Sequence, residues 1–353
     1  MIRAIEIQRL RGIRTGRLED LAPLTILVGP SGAGKSTVLD AMLIAASGAP
    51  GDAIGRVVRR RVELLQGAPW LFERRDRAAL ILLDDDAQGV RTCRLSWTPE
   101  ASEALVAKLS TREQQRNPVE VACEVESQLG RYRSRTVFSV GNEYRFDLQA
   151  LGTESQDQVA RFQSAIDVRL IEPAAGANHA PLHRPFSEAT AQGRIEAILE
   201  VLRQVLDGAI GLRVLTVEDV PTDQPVLHIE FKDHTVPVAA VGGGVYALVR
   251  LAIDLAAQPG GIALIEEPEA HQHPAAIHQT AKVLLATVRR GVQVVVSTHS
   301  LDLIDSLIAE ATDDDIERLS IVRVALDDGL LRSSRFPGSM VITARRSIDE
   351  DLR

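Results

Sequence analysis

The chain has 353 residues, 45% of them apolar and 25% charged, with a formal net charge of −8. That length supports one large or two medium domains around a sizeable core, and the acidic balance excludes a protein that coats nucleic acid by bulk electrostatics. No apolar run reaches the ~18–20 residues of a membrane span, and two cysteines, Cys93 and Cys123, are too few for a disulfide framework, so the expectation is a reducing cytoplasmic setting with no membrane partner.

Ile2 to Ile7 alternates with period two and reads as a strand rather than a signal peptide. Arg11 to Gly16 reads as a turn, and Leu24 to Val28 as a buried strand. Glycines and a proline follow, and Ser36 to Ala46 has helical spacing. Arg56 to Arg77, with Arg59-Arg60-Arg61 and Arg74-Arg75, is a candidate local basic groove. The scarcity of lysine (Lys35, Lys108, Lys232, Lys282) favours the plainer reading of a genome rich in arginine codons. Trp70 and Trp97 form no stacking ladder along the chain, which weakens any case for single-strand binding by base stacking.

The middle reads as β-rich. Ala78 to Leu83 and Arg91 to Trp97 pair around the loop Asp84 to Gly89. Val119 to Glu126 and Arg131 to Val140 pair around Gly130, and Ala101 to Gln115 is a candidate helix. Pro173 to Pro185 is a loop, and Ser187 opens one long amphipathic helix. From Leu212 the pattern is regular. Strands fall at Leu212 to Val217, Val226 to Phe231, Gly261 to Ile265 and Val292 to Ser297. Helices fall at Val245 to Ala257, Pro274 to Arg289 and Leu301 to Ala309. Ile321 to Leu326 and Gly329 to Arg332 close as a hairpin. Alternation of this kind implies a largely parallel sheet covered on both faces. Asp313-Asp314-Asp315 reads as a solvated turn and the tail after Gly338 as loosely held.

Three segments carry chemistry. Gly29-Pro30-Ser31-Gly32-Ala33-Gly34-Lys35-Ser36, with Thr37, fits G-x-x-x-x-G-K-[ST] between a strand and a helix. The glycines let the backbone aim N–H groups at phosphate oxygens, and the helix adds its positive end. Lys35 is expected to bridge the β- and γ-phosphates of ATP, and Ser36 to give its hydroxyl to Mg²⁺. Second, Ile262 to Ile265 is an apolar run that ends in Glu266-Glu267-Pro268-Glu269. Ligands bind at the C-terminal ends of parallel strands, so Glu266 is expected on the metal and Glu267 on the attacking water. Third, Val294 to Val296 ends in Ser297-Thr298-His299-Ser300, with His299 placed to donate to the γ-phosphate.

In that order the three segments resemble ABC-type ATPases of the SMC/RecF/OLD group. Leu10-Arg11-Gly12-Ile13-Arg14 and Leu24 to Thr37 are similar to the first strands of those proteins. Glu266 to Pro274 looks like their Walker B and D-loop, and His299 matches their switch histidine. The resemblance covers roughly residues 1–75 and 185–335. It implies an α/β P-loop NTPase with an ABC-like mixed sheet flanked by helices, a β-rich lobe and a helical insertion. The expected boundaries are 1–75, 76–150, 151–210 and 211–353. It also implies a head-to-tail homodimer closed by ATP, in which a signature motif from one subunit caps the nucleotide of the other. The matching Gly242-Gly243-Gly244 departs from the usual pattern, because Gly242 stands where the family has serine. Backbone N–H groups remain but no hydroxyl, which implies slow turnover. Gln66 is a weak candidate for the Q-loop, and nothing resembles a nuclease domain.

The function implied is a slow ATPase that couples dimer closure to DNA transactions or to a separate effector such as a nuclease, in genome maintenance or anti-phage defence. The alternatives are a nucleotide-gated scaffold with little turnover and, less favoured, the ATPase subunit of a transporter. No Asn-Lys-x-Asp sequence is present to read guanine.

Overall fold

The computed structural model describes residues 1–60, 64, 66–110, 115–152, 155–172, 181–216, 225–348 and 351. The chain opens with β1 (Ile2–Leu10), β2 (Ile13–Leu18), β3 (Leu24–Val28), α1 (Lys35–Ala46) and α2 (Pro50–Arg59). The β-rich stretch follows: β4 (Ala78–Asp85), β5 (Gly89–Thr98), the single turn α3 (Glu103–Val106), β6 (Val119–Ser127), β7 (Gly130–Phe138) and β8 (Tyr144–Ala150). Next come α4 (Gln156–Ser164), β9 (Val168–Ile171), α5 (His183–Ala191), α6 (Ile195–Val205), β10 (Gly211–Leu215), β11 (Val226–Glu230) and β12 (Thr235–Pro237). The last stretch holds α7 (Gly243–Ala257), β13 (Ile262–Glu266), α8 (Pro274–Arg289), β14 (Gln293–Ser297), α9 (Leu301–Glu310), α10 (Asp313–Glu317), β15 (Leu319–Asp327), β16 (Leu330–Pro337) and α11 (Gly338–Ile348).

The chain divides into two compact units. The first comprises Met1–Leu21, Gly29–Arg169 and Val322–Arg335. The second comprises Ala22–Val28, Leu170–Ile321 and Phe336–Arg353.

The first unit is built on a mixed sheet in the order β8-β7-β6-β5-β4-β1-β2-β16. Its pairs are antiparallel from β8 to β2. β16 alone joins in parallel, with Leu330 opposite Thr15. Strict alternation buries one face: along β6, Val119, Val121, Cys123 and Val125 are buried and the residues between them are not. Helices α1 and α2 belong to this unit. The α1 helix is buried on nearly every side, including Asp40, whose carboxylate is held by both Arg11 and Arg60.

The second unit holds three parallel strands in the order β3-β14-β13. Continuous apolar runs such as Val294 to Val296 bury both faces, as such a sheet requires. One core joins these strands to α8, α9 and α11 through Leu284, Val288, Leu303, Leu307 and Val341. A second joins α5, α6 and α7 to the small antiparallel sheet β10-β11-β12.

Several expected elements differ. Only Arg11-Gly12 turns; Ile13 to Gly16 continue as β2, held against β1 by Ile7↔Gly16 and Leu10↔Ile13. The single long helix from Ser187 is two helices. Gly193, at φ 68°, closes α5 as its N–H donates to Thr190 C=O and the next N–H, of Arg194, donates to Ala189 C=O. The helix expected over Ala101 to Gln115 is described only as α3, and residues 111–114 lie outside the described residues. Asp313-Asp314-Asp315 starts α10, capped by Thr312. The tail forms α11, with Val341 buried and Arg345 bound to Asp305 at 2.8 Å.

Candidate functional site

The phosphate-loop candidate starts where β3 ends. Gly29 lies at φ 142°, and a Cβ there would stand 2.2 Å from the Val324 carbonyl oxygen, so no side chain fits. Gly32 and Gly34 also have positive φ, and Gly34 caps α1 in the left-handed conformation. No side chain caps α1 and its first turn holds no acid. Its leading N–H groups and positive dipole end are thus exposed to an anion rather than quenched within the chain. Lys35 is buried, and its Nζ donates to the carbonyls of Gly29, at 2.7 Å, and Pro30, at 3.1 Å. That places the ammonium inside the arc of the loop. Ser36 and Thr37 are half-buried on the first turn. Uncapped N–H groups, the helix dipole and one ammonium all favour an anion at this loop.

The acidic and histidine segments belong to the second unit. Parallel register sets Glu266 opposite Ser297, and Ser297 opposite Leu27. The ends of β13, β14 and β3 are therefore level, and β3 runs straight into Gly29. Beyond the strands the Glu267 N–H donates to Ser297 C=O at 2.9 Å, and Thr298 N–H donates to Leu27 C=O at 3.0 Å. Glu267 sits at φ 44°, so its carboxylate turns back toward β14. Its Oε1 lies 3.5 Å from His299 Nε2. Both side chains are more than a third exposed.

Glu269 completes this group and was not among the residues expected to act. Its Oε1 accepts the Thr298 hydroxyl and the His299 N–H. Its Oε2 is buried without a partner. Burial pushes the carboxyl up from its ordinary range, against the hydrogen bonds from Thr298 and His299 that pull it down. The signal was present in the sequence as the acid after Pro268, two residues past the acidic pair. The turn that carries it is pinned by Gln272, which donates to Pro268 C=O and accepts the Thr280 hydroxyl, both at 2.7 Å. The nearby histidines are structural: His273 caps α8 ahead of Pro274, and His278 pairs with Glu310 at 2.6 Å. Among the described residues no cluster of three or more such side chains forms a metal site.

The triple glycine opens α7, with Gly242 as its cap. None of the three has positive φ. Gly244 is needed within the chain, since a Cβ there would stand 2.7 Å from His271 C=O. Gly242 and Gly243 face open space and are exposed. Gln66 lies in a turn and donates to Asn117 C=O at 3.0 Å.

A family model described as an AAA ATPase domain matches residues 184–304. An uncharacterized protein of Methanocaldococcus jannaschii, MJECL11, is 32% identical over 114 residues, which is 32% of this chain and 99% of that protein. The chain belongs to the AAA ATPase domain family. The matched stretch of this AAA ATPase domain protein carries Glu266, Glu267, Glu269 and His299, and the phosphate loop precedes it. The crystal structure of an SMC head bound to the C-terminal winged-helix domain of ScpA is similar in fold, with a TM-score of 0.51 at 12% identity over 95% of this chain and 98% of that one. The mixed α/β fold expected from the motifs is thereby shared with an SMC head. No helix among the described residues is long and apolar enough to cross a membrane.

Proposed function

We propose that this AAA ATPase domain protein is an OLD/SMC-like ATPase whose phosphate loop, Glu266, Glu267 and His299 make up one ATP site. The observation that carries the reading is the level ending of β13, β14 and β3. Glu266-Glu267 and His299 follow adjacent strand ends, and β3, the next strand, leads in sequence into Gly29. Gly29 to Thr37 cradle the phosphates, and Lys35 moves from the loop carbonyls to bridge the β- and γ-phosphates. Ser36 and Glu266 would hold Mg²⁺, which would supply positive charge against the phosphates. Glu267 orients and polarises the attacking water, and His299 donates to the γ-phosphate. The 3.5 Å contact between the last two supports their acting at one point. Gly242 and Gly243, which no contact within the chain requires, present α7 N–H groups to the nucleotide of a second copy. ATP thus closes a head-to-tail homodimer, and closure acts on DNA or on a separate effector such as a nuclease, in genome maintenance or anti-phage defence.

Steady-state phosphate release tests the enzyme. Wild type is expected to turn over ATP with Mg²⁺, and Glu267→Gln to bind ATP without doing so. Nucleotide binding without turnover by the wild type would leave a nucleotide-gated scaffold. Mass measurement of Glu267→Gln with and without ATP tests closure: a monomer in both states would remove the dimer from the proposal.

A further inference from the structure

The arginine-rich stretch before β4 forms a surface that ATP chemistry does not use. Trp70 is 53% exposed, and the Arg75 guanidinium lies over its ring, 5.1 Å from the centroid. Arg77 lies over the Trp97 ring at 5.9 Å. Both indoles are tied to the same tripeptide, Arg75-Asp76-Arg77. The Trp97 Nε1–H donates to Asp76 C=O at 2.7 Å, and the Trp97 backbone N–H donates to Arg77 C=O at 3.2 Å. β1 delivers a further arginine: Leu10 bridges Phe72, and Arg9 reaches Asp76 at 3.5 Å.

The backbone is bent to present these cations. Arg9, Arg74 and Arg75 lie at φ 56°, 47° and 61°, a region that costs energy for any residue but glycine. Arg74 is 78% exposed and pairs only loosely, with Glu73 at 3.8 Å and Asp328 at 3.7 Å. Arg75 and Arg77 have no ion pair among the described residues. Arg60, from the same arginine-rich stretch, is by contrast spent inside on Asp40, and Arg61 lies outside the described residues. The two indoles do not stack on one another, but both are held to the same short segment, Arg75 to Arg77.

We propose that this Arg9–Trp70–Arg75–Arg77–Trp97 surface binds a single strand of nucleic acid. The exposed Trp70 indole, with the half-buried Trp97 ring near it, offers a flat face to a base, and the guanidinium groups over the two rings hold the phosphates between successive bases. A duplex keeps its base faces covered and gains only the charge. The proposal is independent of the ATPase reading and is tested without nucleotide.

The chain has only two tryptophans, both in this surface, so emission excited selectively from tryptophan, away from the three tyrosines, reports on this site. Titration with a ~20-residue oligo-dT is expected to quench that emission saturably, in step with the anisotropy of the labelled strand. Affinity should fall steeply between 50 and 200 mM salt. Trp70→Ala should weaken binding about tenfold, and Trp70→Phe should restore most of it. Arg75→Ala with Arg77→Ala should flatten the salt dependence, with an unchanged melting temperature confirming that the fold survives. Absence of binding would overturn the proposal. So would a rise in anisotropy with no quenching, which would place the strand elsewhere. Equal quenching by duplex DNA would overturn the single-strand assignment, and quenching by poly-glutamate but not oligo-dT would reassign the surface to an acidic protein.

Discussion

The Glu269 carboxylate accepts the backbone N–H of His299 at 3.1 Å. It also takes the hydroxyl of Thr298, so one partly buried side chain fixes the start of the histidine segment from the acidic loop. Glu269→Ala strands both donors in a buried site, at about 1–3 kcal/mol. The melting temperature should drop, and kcat should fall because His299 is no longer held against Glu267. Glu269→Gln keeps an acceptor oxygen and should recover much of both. Parallel thermal melts and phosphate-release assays decide it, and equal behaviour of Ala and Gln would refute the role.

The same carboxyl gives a pH dependence. Burial raises it above its ordinary 4.5, so the folded state holds the proton more tightly than the unfolded chain does. Its contribution to stability is complete below about pH 4.5 and is lost as pH rises through the raised value. Glu269→Gln does not titrate. Its melting temperature relative to wild type should therefore climb as pH rises from 4 to neutrality, and a flat difference would contradict the burial argument.

Asp315 has the opposite sign. Its hydrogen bond from Arg289, helped by Thr312, holds its carboxyl at about 2 against an ordinary 3.8. Its stabilisation is present above about pH 4 and disappears as pH falls toward 2. Because Arg289 is half exposed, about 1–2 kcal/mol is expected. Asp315→Asn should lose that amount at pH 7 and almost nothing near pH 2, read by denaturant titration at each pH.

Glu267→Gln should lower ATP turnover by ~10²–10⁴ while leaving nucleotide affinity in place, the range for removal of a general base. Retained turnover with retained binding would assign the attacking water to another group.

The glycines that open α7 should separate. Gly244→Ala puts a methyl against the His271 carbonyl and should destabilise by about 1–3 kcal/mol. Gly243→Ala meets nothing and joins a helix, so the melting temperature should hold or rise. If the proposed contact with a second copy exists, Gly243→Ala should nonetheless weaken ATP-dependent dimerisation. Sedimentation with ATP separates the two effects.

Much of this was legible in the residues. Gly29 to Ser36 and the strand ends at Glu266 and Ser297 were readable because a fixed glycine spacing and buried apolar runs admit few other structures. The break between α5 and α6 was harder, since Gly193 looks like a tolerated helix glycine until its N–H is seen closing the turn. Helix α4 had its cap in view, as Ser155 and Gln158 bond reciprocally, yet its short apolar face gave no period. The lobe strand β8 was hidden because it alternates poorly. Tertiary pairings such as Arg11 and Arg60 with Asp40, or Arg75 with Trp70, leave no local pattern and required the fold.

The parallel pairing of Leu330 with Thr15 bears on how the chain reaches this structure. β2 is made early in synthesis, and its neighbour β16 emerges some three hundred residues later. β3, lying between β2 and α1 in the chain, is claimed by the other unit. Neither unit is a contiguous piece, so neither can finish on the ribosome before the other has been made. Contacts this distant in sequence slow folding by raising the entropy of closure. Refolding from denaturant should be slow and should show both units forming together, and fragments cut at either unit boundary should fail to fold alone.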